Sequence, residues 1–325
     1  MTSFLNILIS CLACISFLIR GTELHHRFIT PTERTSKIIE WKKSEVIPFQ
    51  EILISWSGQR PTKGAYIISM SIYHHQKWSP WFPYAYWGCA EQHLYNLQAN
   101  KDITAILNST KATGFRIRVE AEEHANLKSF RALHVSLTDL SQHQLSSALP
   151  LHSSRVLAVP PVSQIALNHS DSTRICSPTS TAAVASYLAS VPINPLIFAE
   201  QVRESFSKIY GVWVLNTAQA AHALGAPWCC YVSRCKNLQQ VVDQLNKNRP
   251  VVVSIQGPIP GGARPYEGGH LLVIRGYDAI NKKVLCMDPA FPEDDETYVA
   301  YDVNDFLTAW KRRQGLAYMF RLVLK

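Results

Sequence analysis

Four residues of this sequence, Gln164, Cys176, His270 and Asp288, have the types and the order that covalent acyl chemistry needs. Cys176 stands in Thr173-Arg174-Ile175-Cys176-Ser177-Pro178-Thr179-Ser180, directly ahead of the apolar run from Ala182 to Leu188. Pro178 suits the first turn of a helix, where a missing N–H costs nothing. The cysteine is therefore expected at or just before a helix N-terminus, whose free N–H groups favour an anion such as a thiolate. Taken alone, a cysteine ahead of an apolar helix is more often a small core residue. Its partners change the reading. His270 follows Gly268-Gly269 and opens the strand-like run Leu271-Leu272-Val273-Ile274. Asp288 follows a second run, Lys283 to Met287, and precedes Pro289. The segment from Gly276 to Lys282 joins the two runs as a hairpin. Antiparallel pairing would bring Asp288 beside His270, where a carboxylate can hold an imidazole in one tautomer. Gln164 lies in the loop Val159 to Gln164, and its amide could donate to a developing oxyanion alongside the Cys176 N–H.

The strings Val162-Ser163-Gln164, Arg174 to Ser180, Gly268 to Asp278 and Asp288-Pro289 resemble the C39-like peptidase family. The resemblance covers roughly the C-terminal half, and the motifs agree in order. It implies a papain-like fold with Cys176 as nucleophile, His270 as general base and acid, Asp288 as orienter and Gln164 as oxyanion donor. Ser177 departs from the Gly of many members, but Ser is compatible with a helix start. No nucleotide-binding or multi-span transporter region is visible, so the leader-peptidase role of transporter-fused members does not transfer.

The chemistry expected is thiolate attack on a carbonyl, an acyl-enzyme, and hydrolysis. An amide, thioester or ester would suit it, and the implied function is cleavage of a peptide amide. The alternative is a catalytically silent papain-like protein whose β domain binds a glycan or peptide. A peptide or protein substrate and a glycan or envelope ligand for the β domain are the expected partners. No cofactor and no metal is expected. Cys230 and Cys235 have no second pair to complete a zinc site. The Gly- and Pro-rich stretch from Gly257 to Gly269 lacks the lysine of a phosphate loop and reads as a flap beside His270.

The elements that must position these groups are α+β: helices first, then strands. Residues 155–325 are assigned to the papain-like catalytic domain. Within it, helices are expected over Ala182–Leu188, Pro195–Ser207, Thr217–Leu224, Leu238–Asn246 and Val303–Trp310. Strands are expected at Val251–Ile255 and Ala317–Leu324. Residues 45–150 read as an all-β, sandwich-like accessory domain. Its clearest strand, Gly114 to Ala121, alternates apolar and polar residues. Trp78, Trp81, Phe82, Tyr84, Tyr86 and Trp87 crowd together there and are expected to plug the sandwich core or the domain interface rather than grip a ligand.

The chain has 325 residues, 47% hydrophobic, enough for a sizeable core and two domains. The formal charge is +8, but the basic runs Arg20–Lys43 and Lys311–Arg313 are not interleaved with aromatics as in base-stacking surfaces. They read as basic solvated surface, and no nucleic-acid partner is expected. Phe4 to Ile19 is mostly apolar, broken by Asn6, Ser10 and Ser16, and too short for a comfortable span. Residues 1–22 are read as an export signal or uncleaved anchor, which would be the one membrane contact and would make the protein periplasmic, envelope-associated or secreted.

Overall fold

The computed structural model describes residues 21–95 and 111–323. The export signal expected over residues 1–22 lies outside the described residues except for Gly21 and Thr22. Among the described residues, no helix is long and apolar enough to cross a membrane.

Among the described residues, the regular elements of the first part of the chain are strands and short 3-10 turns. Its strands are β1 (Thr22–Phe28), β2 (Ile38–Phe49), β3 (Glu51–Gly58), β4 (Ala65–His74) and β5 (Lys77–Trp78). They continue with β6 (Phe82–Gly88), β7 (Gln92–Leu94), β8 (Ala112–Glu122) and β9 (Phe130–Thr138). They form two antiparallel sheets, β1-β9-β3 and β2-β8-β4-β6-β7, with β5 paired to β4. In β8, Phe115, Ile117 and Val119 are wholly buried while Arg116 and Arg118 face outward, as the alternation requires. Strand structure begins at Thr22 rather than at residue 45. The basic run through Lys43 is part of β2, in which Ile39 and Trp41 point inward between exposed Glu40 and Lys42.

The aromatic crowd divides. Trp87 and Tyr84 enter the core, with Trp87 edge-on to Trp56. Trp78 and Trp81 stay on the outer face. There the Arg116 guanidinium lies 4.5 Å from one ring and 4.9 Å from the other, and Arg118 lies 4.4 Å from Trp81. The expectation of a core plug therefore holds for only part of the cluster, because Trp78 and Trp81 lie ahead of β6 and a bulge at Tyr84 breaks the alternation within it.

The second part carries α1 (Cys176–Ala189), α2 (Pro195–Val202), α3 (Trp213–Leu224), β10 (Trp228–Arg234) and α4 (Gln239–Leu245). It continues with β11 (Val251–Gly257), β12 (Tyr266–Asp278), β13 (Lys283–Met287), β14 (Tyr298–Asp302), α5 (Val303–Lys311) and β15 (Leu316–Leu322). The strands make one antiparallel sheet, β10-β15-β11-β12-β13-β14. The hairpin predicted around Gly276 is tighter than expected. β12 runs on to Asp278 through a bulge at Ile274/Gly276, and the turn begins after it. α2 stops at Val202 rather than Ser207, because the Glu204 carboxylate takes the Phe206 and Ser207 N–H groups into a turn.

The two parts share a continuous core. All of β3 is buried, since α3 and β10 cover its second face. Ser55 and Ser57 accept the N–H groups of Val232 and Cys230 at 3.0 and 3.1 Å. Glu51 holds Arg234 through two bonds of 2.7 Å.

Candidate active site

α1 places Cys176 as its first residue. Residues Ser177 to Ala185 are buried around the whole helix, so its start is fixed by packing. No side chain caps it; Ile175 stands at the cap. The Ser180 hydroxyl donates to the Leu271 carbonyl at 3.0 Å, fastening the helix to the strand that carries His270. Ser177, the departure from Gly, lies 2.9 Å from the Tyr318 hydroxyl within the core. Cys176 itself keeps partial exposure.

His270, Asp288 and Gln164 are wholly buried. The last register pair of β12 and β13 is Val273 with Met287, so Asp288 is the next residue along and shares a face with His270. His270 Nε2 lies 2.7 Å from Asp288 Oδ1. The carboxylate accepts three more bonds: the Ala290 N–H at 3.0 Å on Oδ1, and the Tyr266 and Tyr301 hydroxyls at 2.8 and 2.7 Å on Oδ2. Tyr266 also stacks flat on the imidazole, ring centroids 4.2 Å apart. With Nε2 committed to Asp288, Nδ1 is the atom left to face Cys176. It closes no hydrogen bond of ordinary geometry, although thiol and ring are near enough to shift each other's protonation.

Burial opposes every charge in this group, and the mutual contacts outweigh it. Burial pulls the His270 imidazole down, but the Asp288 carboxylate and the Cys176 sulfur raise it to about 9. Burial pushes the Cys176 thiol up, yet His270, the Leu271 amide and the Arg264 charge bring it below the ordinary thiol value. Asp288 is likewise held below the usual carboxylate range against its burial, chiefly by His270. Burial and Asp288 push both tyrosines upward, so they remain neutral donors. These directions favour a thiolate–imidazolium pair at neutral pH.

Gln164 is held at two points. Its backbone N–H donates to the Pro289 carbonyl at 2.8 Å, next to Asp288. Its side-chain nitrogen donates to the Ser172 carbonyl at 2.7 Å, in the turn leading to Cys176. A primary amide has two N–H donors, and that bond uses one. Ser163 donates its N–H to Asp294, clipping the Gln164 loop to the loop after Asp288. The four predicted residues thus converge from three segments.

The flap expected between β11 and β12 is tied down at both sides. Arg264 donates to the Thr173 carbonyl at 3.0 Å, and Tyr266 to Asp288. Sequence reasoning missed Tyr266, Tyr301 and Arg264. Tyr266 precedes His270 by an even spacing, which a strand would put on one face. Nothing in the spacing marks Tyr301, which arrives on β14. Among the described residues, no group of three or more His, Cys, Asp or Glu stands together as a metal site.

Residues 156–318 match the model of the Peptidase C39 like family, a span that contains all four predicted residues. The solved structures similar to the chain include two from bacteria. One is a protein from Bacillus anthracis assigned as a C39-like peptidase, at 17% identity and a TM-score of 0.38, covering 56% of this chain and 99% of its own. The other is xylellain, a cysteine protease from Xylella fastidiosa, at 12% identity and a TM-score of 0.31, covering 58% of this chain and 94% of its own. No protein of curated function matches the sequence.

Proposed function

This chain belongs to the Peptidase C39 like family, and from that premise we propose that it is a cysteine-type hydrolase cleaving a peptide amide through a thiolate and an acyl-enzyme. The observation that carries the reading is a buried imidazole fixed to Asp288 by Nε2, with Nδ1 left toward the first residue of α1. Cys176 attacks the carbonyl carbon while the carbonyl oxygen takes up negative charge. The Cys176 N–H and Gln164 are the proposed donors to that oxygen; losing one such donor typically costs about a hundred- to a thousand-fold. His270 delivers its proton to the leaving amine, then removes one from the water that releases the acyl group.

The reading extends to the rest of the chain. The apolar run Phe4–Ile19 supports an exported location. The two N-terminal sheets support a sandwich-like accessory unit ahead of the catalytic one, and its Trp78–Arg116–Trp81 face is the proposed place for a glycan or peptide contact.

Labelling with iodoacetamide across pH tests the chemistry, with sites mapped by mass spectrometry. Exposed Cys89 is the internal comparison. Cys176 is expected to label faster than Cys89 at or below neutral pH, and His270→Ala to slow it. Slow labelling of Cys176, indifferent to His270→Ala, would overturn the enzyme and favour a silent scaffold.

A further inference from the structure

A cavity of about 410 Å³, sharing no lining residue with the cysteine site, opens where the N-terminal sheets meet the end of α3. That volume is within the range of about 300–1,000 Å³ common to small-molecule sites. Gln59, Arg60 and Lys63, in the segment after β3, form one wall, and His124 and Asn126, between β8 and β9, form another. His222, in the last turn of α3, completes it. Among the described residues, no Asp or Glu lines the cavity. Glu122 and Glu123 adjoin it in sequence, but their charges reach Tyr86 on β6. The donors of the cavity are held in place. The Arg60 N–H donates to His222 Nδ1 at 3.1 Å, which leaves the ring proton on Nε2. Gln59 Nε2 donates to the His222 carbonyl at 3.1 Å and keeps a second N–H. A helix C-terminus ordinarily repels an anion. Here the Ala221 and His222 carbonyls are occupied, by Arg131 at 2.8 Å and by Gln59. The Arg60 guanidinium donates to the Gly88 and Gln201 carbonyls at 2.7 and 3.1 Å. Those bonds satisfy its donors, yet among the described residues no carboxylate answers its charge.

We propose that this cavity binds a small molecule bearing an oxyanion, a phosphate or a carboxylate, which bridges the two parts of the chain. The His222 Nε2–H and the Lys63 ammonium are the direct contacts, and Arg60 supplies a further positive charge. Arg60 is half-buried. A cation so placed without a counter-charge gains from an anion, because salt and water screen the attraction less there than at an open surface. Arg131 adds to the same field. Burial, Arg60 and Arg131 together hold the His222 imidazole below its ordinary value, so at neutral pH it is a neutral N–H donor. The segment carrying Lys63 is placed by Gly64, whose φ of +62° favours glycine and whose missing side chain lets the turn press on the Glu122 and Glu123 carbonyls. The site takes no part in the acyl chemistry, so it stands or falls independently of the peptidase reading.

The test is calorimetric titration of the full chain with inorganic phosphate and, separately, with citrate. Ionic strength is held constant, and binding rather than melting is read, because both anions stabilise proteins without occupying a site. At least one of them should saturate a single site. Saturation by phosphate alone would assign a phosphate ligand, and by citrate alone a carboxylate one. Lys63 is exposed, so Lys63→Glu leaves the core intact, and it should weaken binding about tenfold or more. The His222 Nε2 resonance should shift as the site fills, a readout that needs no variant. No saturable binding of either anion, binding equally strong in Lys63→Glu, or saturation that leaves the His222 resonance unmoved would overturn the site. None of these outcomes bears on Cys176, whose labelling tests the peptidase reading separately.

Discussion

His270 Nε2 stands 2.7 Å from Asp288 Oδ1, and neither side chain touches solvent. In that setting the carboxylate sets both the direction of the ring and its readiness to hold a proton. Asp288→Asn keeps the shape but removes the charge that raises His270. The imidazole should then titrate lower, and Cys176, losing its cationic neighbour, should titrate higher. The acid limb of the labelling profile should move upward in pH, and kcat/KM at neutral pH should fall about a hundredfold or more. An unchanged profile would mean that Asp288 only fills space.

Tyr266 and Tyr301 both donate to Asp288 Oδ2, but only Tyr266 also covers the imidazole face. The two contributions separate by substitution. Tyr301→Phe and Tyr266→Phe each remove one bond to a buried carboxylate, at a cost of about 1.5–3 kcal/mol in stability. Tyr266→Ala also removes the stacked ring and should lower kcat further, with the ring freer to leave Cys176. Thermal melts read the first effect and kcat against KM reads the second. Equal kcat for Tyr266→Phe and Tyr266→Ala would exclude a positioning role for the stack.

The pH dependence has a definite sign on each limb. His270 is raised to about 9, above its ordinary value. Its stabilising contribution is complete below about 6.5 and is lost as pH rises through about 9. Cys176 is lowered, so its contribution is present above the ordinary thiol value and is lost as pH falls through the lowered one. Activity should therefore form a bell whose alkaline limb falls near 9, where the leaving amine loses its proton donor. Cys176→Ala removes the sulfur that helps raise the imidazole, so the pH at which His270-dependent stability is lost should move down. A melting series across pH for both proteins checks this, and coincident curves would contradict the coupling.

What could be read in the sequence follows from where each signal resides. Cys176 was legible because helix-start chemistry is local, and His270 because two glycines and an apolar run mark a strand opening. Asp288 needed one further step, the hairpin pairing. Tyr301 was not legible, since its approach depends on β14 pairing with β13, a tertiary event. The strand β2 carried its own signal: Ile39 and Trp41 alternate with Glu40 and Lys42. Counting its charges as a run concealed the period of two. The division of the aromatic crowd was not legible either, because a bulge between Ile68 and Ser69 shifts the pairing of β4 with β6 there.

Glu51 and Arg234 link the N-terminal sheets to the loop between α5 and β15. Their side chains are only 1% and 6% exposed, and the pair is bidentate at 2.7 Å. Arg234 in turn holds the Arg313 carbonyl. Breaking such a pair from one side leaves a buried charge without its partner, so Glu51→Ala should cost about 3–5 kcal/mol. Replacing both residues by Met should cost much less, because no charge is left behind. If the shared core makes the described parts unfold together, Glu51→Ala lowers a single transition by denaturant melting. Two separated transitions, with only the earlier one shifted, would mean that the sheets unfold independently of the family-matched half.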